Sequence, residues 1–120
     1  MQYNSEMRWW EDTTNIKGKN IDICYVESRS ADVGDLIDKY TDLDIELVAA
    51  ETYLCALTYV TDLIGRSLDD LYLAKIAVYD SYILYLYRSP SLGMRRVVSV
   101  LYNDGKIIDC YHNWGYSSTG

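Results

Sequence analysis

Few residues in this chain are suited to chemistry. One histidine, His112, and three cysteines, Cys24, Cys55 and Cys110, supply all of its imidazole and thiol groups. Nucleophilic catalysis needs a nucleophile beside a base, and the nearest pair is Cys110 and His112, two residues apart on a predicted strand. No catalytic signature surrounds them. We therefore expect a half-buried thiol beside a surface histidine, free thiols throughout, and no catalytic residues.

The sequence also contains few residues that could form a metal site or a phosphate-binding site. Structural zinc needs about four thiol or imidazole ligands, and no closely spaced cysteine pair occurs. Asp42, Asp44 and Glu46 alternate as in a calcium loop, but the glycine and the acid that complete such a loop are missing. Neither glycine-rich phosphate motif is present. The sequence predicts no metal and no cofactor.

One constellation remains, an acidic run between Glu27 and Glu51. On a continuous helix Asp35, Asp38, Asp42 and Glu46 would share one face, where like charges cost roughly 0.2–0.5 kcal/mol per pair. Such a stripe can meet a basic surface, although a solvated face that keeps the protein soluble is the alternative. Within this run we predict a partner-binding set that includes one tyrosine as an apolar anchor: Asp32, Asp35, Asp38, Tyr40, Asp42, Asp44 and Glu46.

Composition sets the class of protein. A chain of 120 residues predicts a single domain over residues 1–120. A net charge of −7 disfavours direct binding to nucleic acid. No uninterrupted apolar run reaches the length of a membrane span and the N-terminus lacks the layout of a signal peptide, so we expect a cytoplasmic protein that does not bind membranes.

The first half of the chain predicts one strand and two helices. Residues 1–20 are mostly polar and are expected to form a loose arm or a short edge strand. Residues 21–27 alternate as a strand does, and Ser30 or Asp32 can cap a short helix through Tyr40. Residues 42–64 carry two apolar stripes that predict a main helix buried over much of its circumference, ending at Gly65.

The second half predicts mainly strands. Residues 68–79 fit a helical face, with a strand over 75–79 as the competing interpretation. Residues 82–88, 95–102 and 106–112 predict a three-stranded meander, whose hairpin turn is marked by Asn103, Asp104 and Gly105. The fold class is therefore α+β: an antiparallel sheet, made of this meander and the N-terminal strand, against two or three central helices.

Three functional classes follow. The first is a small acidic, non-enzymatic inhibitor that masks a basic, nucleic-acid-handling partner, broadly as immunity proteins and phage anti-defence proteins do. The second is a small-molecule or nucleotide-binding domain in which Arg88, Arg95 and Arg96 receive an anion. The third is a homodimer or a larger structural assembly formed through the alternating tyrosines of residues 82–87.

Overall fold

The computed structural model describes residues 1–93 and 95–113. Within these ranges seven strands lie in one sheet in the order of the chain, and two helices connect the third strand to the fourth. The strands are β1 (Gln2–Asn4), β2 (Trp9–Ile16), β3 (Lys19–Tyr25), β4 (Tyr72–Val78), β5 (Ile83–Arg88), β6 (Val97–Asn103) and β7 (Lys106–Asn113). The helices are α1 (Val33–Thr41) and α2 (Ile45–Ile64), and a short 3₁₀ turn covers Pro90–Leu92.

The sheet is antiparallel except between β3 and β4, which run parallel. A parallel pair needs a long crossover connection, and α1 and α2 provide it. The α+β class is confirmed, but the sheet is larger than the predicted meander with one added strand.

The N-terminal segment is the first correction. The prediction of a loose arm over residues 1–20 is wrong for most of its length, because β2 pairs with β3 from Trp10 to Ile16. The connection is a two-residue turn in which Lys17 and Gly18 both have positive φ, 50° and 85°. Such turns match the twist of antiparallel strands. The inward positions of β2 include Thr14, and this polarity concealed the alternation of the strand.

The helices follow their capping residues. Asp32 caps α1 and Asp44 caps α2, so the main helix begins at Ile45 instead of at residue 42. Gly65 ends α2 in the left-handed conformation with φ 72°, as predicted.

Residues 68–79 are the second correction, since they form β4 and the loop before it instead of a helix. Leu68 and Leu71 are buried in the loop, and Ile76 and Val78 face the core from the strand. The competing strand interpretation is closer, although β4 starts earlier, at Tyr72.

The core lies between the helices and one face of the sheet. Tyr40 of α1 reaches Thr14 of β2, and Thr52 of α2 reaches Tyr87 of β5, which places both helices on the same side. On the other face, register aligns one row across six strands: Glu11, Cys24, Ala77, Leu84, Leu101 and Asp109. No described helix covers that face.

Among the described helices, α2 is long and apolar enough to cross a bilayer by length and composition alone, and 22% of its most apolar stretch is buried. Core helices of soluble proteins can match this length and composition, but they are mostly buried, and this stretch of α2 is not. The described residues form one globule around a common core, as expected of a soluble protein.

Candidate functional site

The predicted partner-binding residues lie along α1 and at the start of α2. We call the six carboxylates there the acidic corner: Asp32, Asp35, Asp38, Asp42, Asp44 and Glu46. All six are exposed. The two helices are separated at Asp42–Asp44, so the continuous helical stripe expected from the spacing does not form.

Two of these carboxylates stabilise the start of α1. The amide of Asp35 donates to Oδ1 of Asp32 at 3.0 Å, and the amide of Asp32 donates to Oδ2 of Asp35 at 3.1 Å. This reciprocal capping box satisfies two backbone donors that the first helical turn leaves free. Asp32 and Asp35 therefore already have a structural role.

Two more carboxylates, those of Asp44 and Glu46, accept hydrogen bonds at the start of α2. Oδ1 of Asp44 accepts the amide of Leu47 at 3.2 Å, and Oε2 of Glu46 accepts the amide of Lys17 at 3.3 Å. The second contact ties the β2–β3 turn to the helix. Both negative charges also complement the positive end of the α2 dipole.

Asp38 and Asp42 differ from the other four carboxylates. Within the described ranges neither carboxylate accepts a hydrogen bond or pairs with a cation. The nearest lysine in the sequence, Lys39, donates from Nζ to the carbonyls of Tyr79 and Asp80 at 3.0 and 2.8 Å. Burial lowers the pKa of Lys39. The charges of Asp38 and Asp42 are thus left for solvent or for a partner.

Tyr40 does not lie on the surface. It is 3% exposed, and its hydroxyl lies 3.0 Å from that of Thr14 on β2. Burial raises its pKa. Tyr40 joins α1 to the sheet, and its ring is not available as the apolar anchor that the sequence suggested.

An apolar groove opens beside the N-terminal half of α2. It has a volume of about 570 Å³ and lies between α2, the β2–β3 turn and the start of β4. Its walls are mainly aliphatic and aromatic, with three charged residues among them: Ile16, Lys17, Lys19, Ile21, Glu46, Ala49, Ala50, Tyr53, Leu54, Leu71, Tyr72, Leu73 and Tyr87. A size of this order suits a small ligand or the side chains of a partner.

The three arginines of the nucleotide-binding hypothesis lie elsewhere. Arg88 ends β5, while Arg95 and Arg96 precede β6, and none of them lines the groove. The cationic residues that line the groove are Lys17 and Lys19. The nucleotide-binding hypothesis therefore stays a prediction, and the arginines chosen for it do not meet at this groove.

Cys110 and His112 both lie on the helix side of β7. Nδ1 of His112 is 2.6 Å from the hydroxyl of Tyr59 on α2. Burial, together with the neighbouring Cys55, raises the pKa of the Cys110 thiol, which disfavours the nucleophilic thiolate. All three cysteines are free thiols, and within the described ranges no three potential metal ligands lie together.

The tyrosines of β5 do not form an exposed face. Tyr85 and Tyr87 are 0% and 1% exposed and point towards the helices. Tyr82 stacks on Tyr79 with ring centroids 4.8 Å apart. The alternation over residues 82–87 correctly predicts a strand, but the side of that strand that carries Tyr85 and Tyr87 faces the core.

Comparison with known protein families, with curated proteins and with solved structures finds no match. The functional inference therefore depends on the geometry of this chain alone.

Proposed function

We propose that this chain is a non-enzymatic cytoplasmic protein that binds and masks a basic partner protein, one whose own basic surface normally meets nucleic-acid phosphates. The observation that carries the proposal is the pair of unpartnered, exposed carboxylates Asp38 and Asp42 within the acidic corner. Four further exposed carboxylates complete the acidic corner.

Electrostatics favour a basic protein as the partner. The chain has 18 acidic and 11 basic residues, so its net charge attracts a basic protein over a long range. Lys39 donates its ammonium hydrogens to the backbone carbonyls of Tyr79 and Asp80 and not to the carboxylates beside it in the sequence. Complementary charge of this kind raises association rates and sets specificity, whereas the same surface repels nucleic acid itself.

The placement of the corner also favours recognition. Asp32 and Asp35 cap the start of α1, the helix that contains Asp38 and ends at Asp42, so the two unpartnered carboxylates lie on ordered backbone. Preorganised charges cost less to bind than charges on a mobile loop. Asp38 and Asp42 take the place that phosphates occupy on the basic surface.

The test is affinity capture of the tagged chain from a lysate of its host, at about 50 and 500 mM salt, within the range over which screening removes exposed charge interactions. We expect a stoichiometric basic protein at low salt, weakened at high salt. The double substitution Asp38→Lys and Asp42→Lys should abolish the capture without altering the circular dichroism spectrum.

A matched control makes the same change in net charge at two residues outside the acidic corner. Glu6 and Asp69 are exposed, and their carboxylates make no contact in the described part of the chain. Glu6→Lys with Asp69→Lys should capture the same protein nearly as well. Equal loss in both double variants would show that net charge, not the corner, governs binding, and undiminished capture by the first variant would refute the proposal.

A further inference from the structure

The outward side of α2 carries a mostly apolar row that the described structure covers only in part: two members are exposed, and the other four are half-buried. Its members recur at intervals of three and four residues, and we call them the outer stripe: Leu47, Ala50, Leu54, Leu57, Thr61 and Ile64. Leu47 and Leu54 are 56% and 61% exposed. The opposite side of the helix, with Thr52, Ala56 and Val60, is the side buried on the sheet.

This spacing is that of a coiled-coil seam. Alternating steps of three and four residues keep one row facing a second helix, because seven residues make nearly two turns. The stripe runs from Leu47 to Ile64, about 25 Å at 1.5 Å per residue. Exposed apolar side chains grouped on one helix face, here Leu47 and Leu54, are typical of an interaction site.

The groove continues the stripe. Ala50 and Leu54 belong to both, and Tyr53, Leu71 and Tyr72 extend the apolar surface towards β4. A helix laid against the outer stripe would therefore find a second wall beside it. The small side chain of Ala50 permits close approach there.

We propose that a second copy of this chain occupies this surface, with the two α2 helices packed antiparallel about a two-fold axis near Leu54 and Leu57. In that arrangement Leu47 faces Ile64 of the second copy, and Ala50 faces its Thr61. Each contact occurs twice by symmetry, as a two-fold interface requires.

Charge at the two ends of α2 favours the same arrangement. Glu46 lies in the first turn, and Arg66, exposed and without a partner in the described part of the chain, follows the helix end. Antiparallel packing sets Glu46 beside Arg66 of the second copy, twice, and aligns the helix dipoles favourably. A parallel pair would bring Glu46 against Glu46.

A membrane surface fits this face less well. Helices that lie on anionic membranes carry lysine and arginine beside their apolar face. On α2 itself the stripe is flanked by Glu46 and Glu51, while Lys17 and Lys19 lie across the groove beside it. A second copy offers both the apolar row and the opposite charge.

Sedimentation equilibrium of the purified full chain between about 1 and 200 μM tests the proposal; we expect a mass twice the 13.9 kDa of one chain. Leu54→Glu should weaken association by roughly 100-fold or more, since it buries an unpaired charge between the helices. Leu63→Glu is the matched control, because Leu63 is 46% exposed on the same helix but lies off the outer stripe. It should remain dimeric.

A charge exchange gives a second measurement that does not disturb the apolar row. Glu46→Arg and Arg66→Glu should each weaken the dimer about 5-fold or more, and the double variant should restore it. A chain that stays monomeric throughout, a dimer that Leu54→Glu leaves intact, or a monomer that co-sediments with neutral phospholipid vesicles would each overturn the proposal.

Discussion

Tyrosine replaces phenylalanine throughout this protein, with thirteen tyrosines and no phenylalanine. In the core each hydroxyl then requires a partner, because an unpaired buried polar group costs free energy. Tyr87 finds one, donating to the carbonyl of Ala49 at 3.1 Å and lying 2.6 Å from the hydroxyl of Thr52. The hydroxyl of Tyr85 has none among the described residues.

This difference predicts opposite effects of the same substitution. Tyr85→Phe should leave the free energy of unfolding unchanged or raise it by up to about 1 kcal/mol, because an unpaired hydroxyl is removed. Tyr87→Phe should lower it by about 1–2 kcal/mol, because the groups that bonded the hydroxyl stay buried. Urea denaturation of the two variants measures both. Equal destabilisation would mean that the Tyr85 hydroxyl has a partner, such as a buried water.

Single-residue signals were the part of the fold that could be predicted. Asp32 caps α1, Gly65 ends α2, and Asp104 and Gly105 both have positive φ in the β6–β7 turn. Each depends on local backbone chemistry, which the sequence displays directly. The turn at Lys17 and Gly18 has the same geometry, but its lysine is an uncommon choice for positive φ and gave no signal.

At the scale of elements, local pattern was not enough for residues 68–79. Leu68, Leu71 and Ile76 fit a helical spacing, yet Ile76 pairs with Ile23 of β3 and with Tyr85 of β5. The segment lies between two strands that it joins, and this tertiary pairing overrides the weak helical preference. Such pairing between distant segments cannot be read from a short window of sequence.

Asp70, in the loop that replaces the predicted helix, holds two elements together. Its carboxylate accepts from the Ser89 hydroxyl and, at 2.9 Å, from the Ser91 amide, beside the 3₁₀ turn. These hydrogen bonds, that from Ser89 first, lower the pKa of Asp70 below its ordinary value of 3.8. The carboxylate thus ties the loop before β4 to the end of β5.

The lowered pKa gives the stability of the protein a defined dependence on pH. Since the folded state favours the ionised form, the contribution of Asp70 is present above the pKa of the unfolded chain and is lost as pH falls through the lower pKa of the folded state. Asp70→Asn should therefore lower the thermal midpoint at pH 7, and this difference should shrink between pH 4 and pH 2.

Asp69→Asn is the control, because its side chain is exposed and makes no contact in the described part of the chain. It should leave the midpoint close to that of the parent at each pH. A difference between Asp70→Asn and the parent that persists unchanged at pH 2 would show that charge is not the cause.

At the scale of the molecule, the sequence shows where the charged residues lie along the chain but not which residues surround them in the fold. The acidic run was visible, whereas the burial of Tyr40 and the diversion of Lys39 to the carbonyls of Tyr79 and Asp80 depend on contacts across about 26 to 41 residues. The two apolar stripes of α2 were also visible. One helix face covers the sheet, whereas the other stripe is only partly buried, with Leu57 and Ile64 packed against the core and Leu47 and Leu54 exposed. The sequence did not distinguish the two stripes.

The N-terminal segment closes the sheet on the side of α1, and its removal tests how the whole fold depends on it. Thr14 bonds Tyr40, Ile16 is buried, and β2 covers the edge of β3. Deleting residues 1–16 should leave that edge and the core beneath it exposed, giving an aggregating or unfolded chain by circular dichroism and light scattering. Deleting residues 1–4 removes only β1, which pairs with β2 alone, and should leave a folded protein. If the chain lacking residues 1–16 folds as well as the chain lacking residues 1–4, β2 contributes nothing that the core requires. The prediction of a loose arm, which the polar sequence suggested, would then be correct.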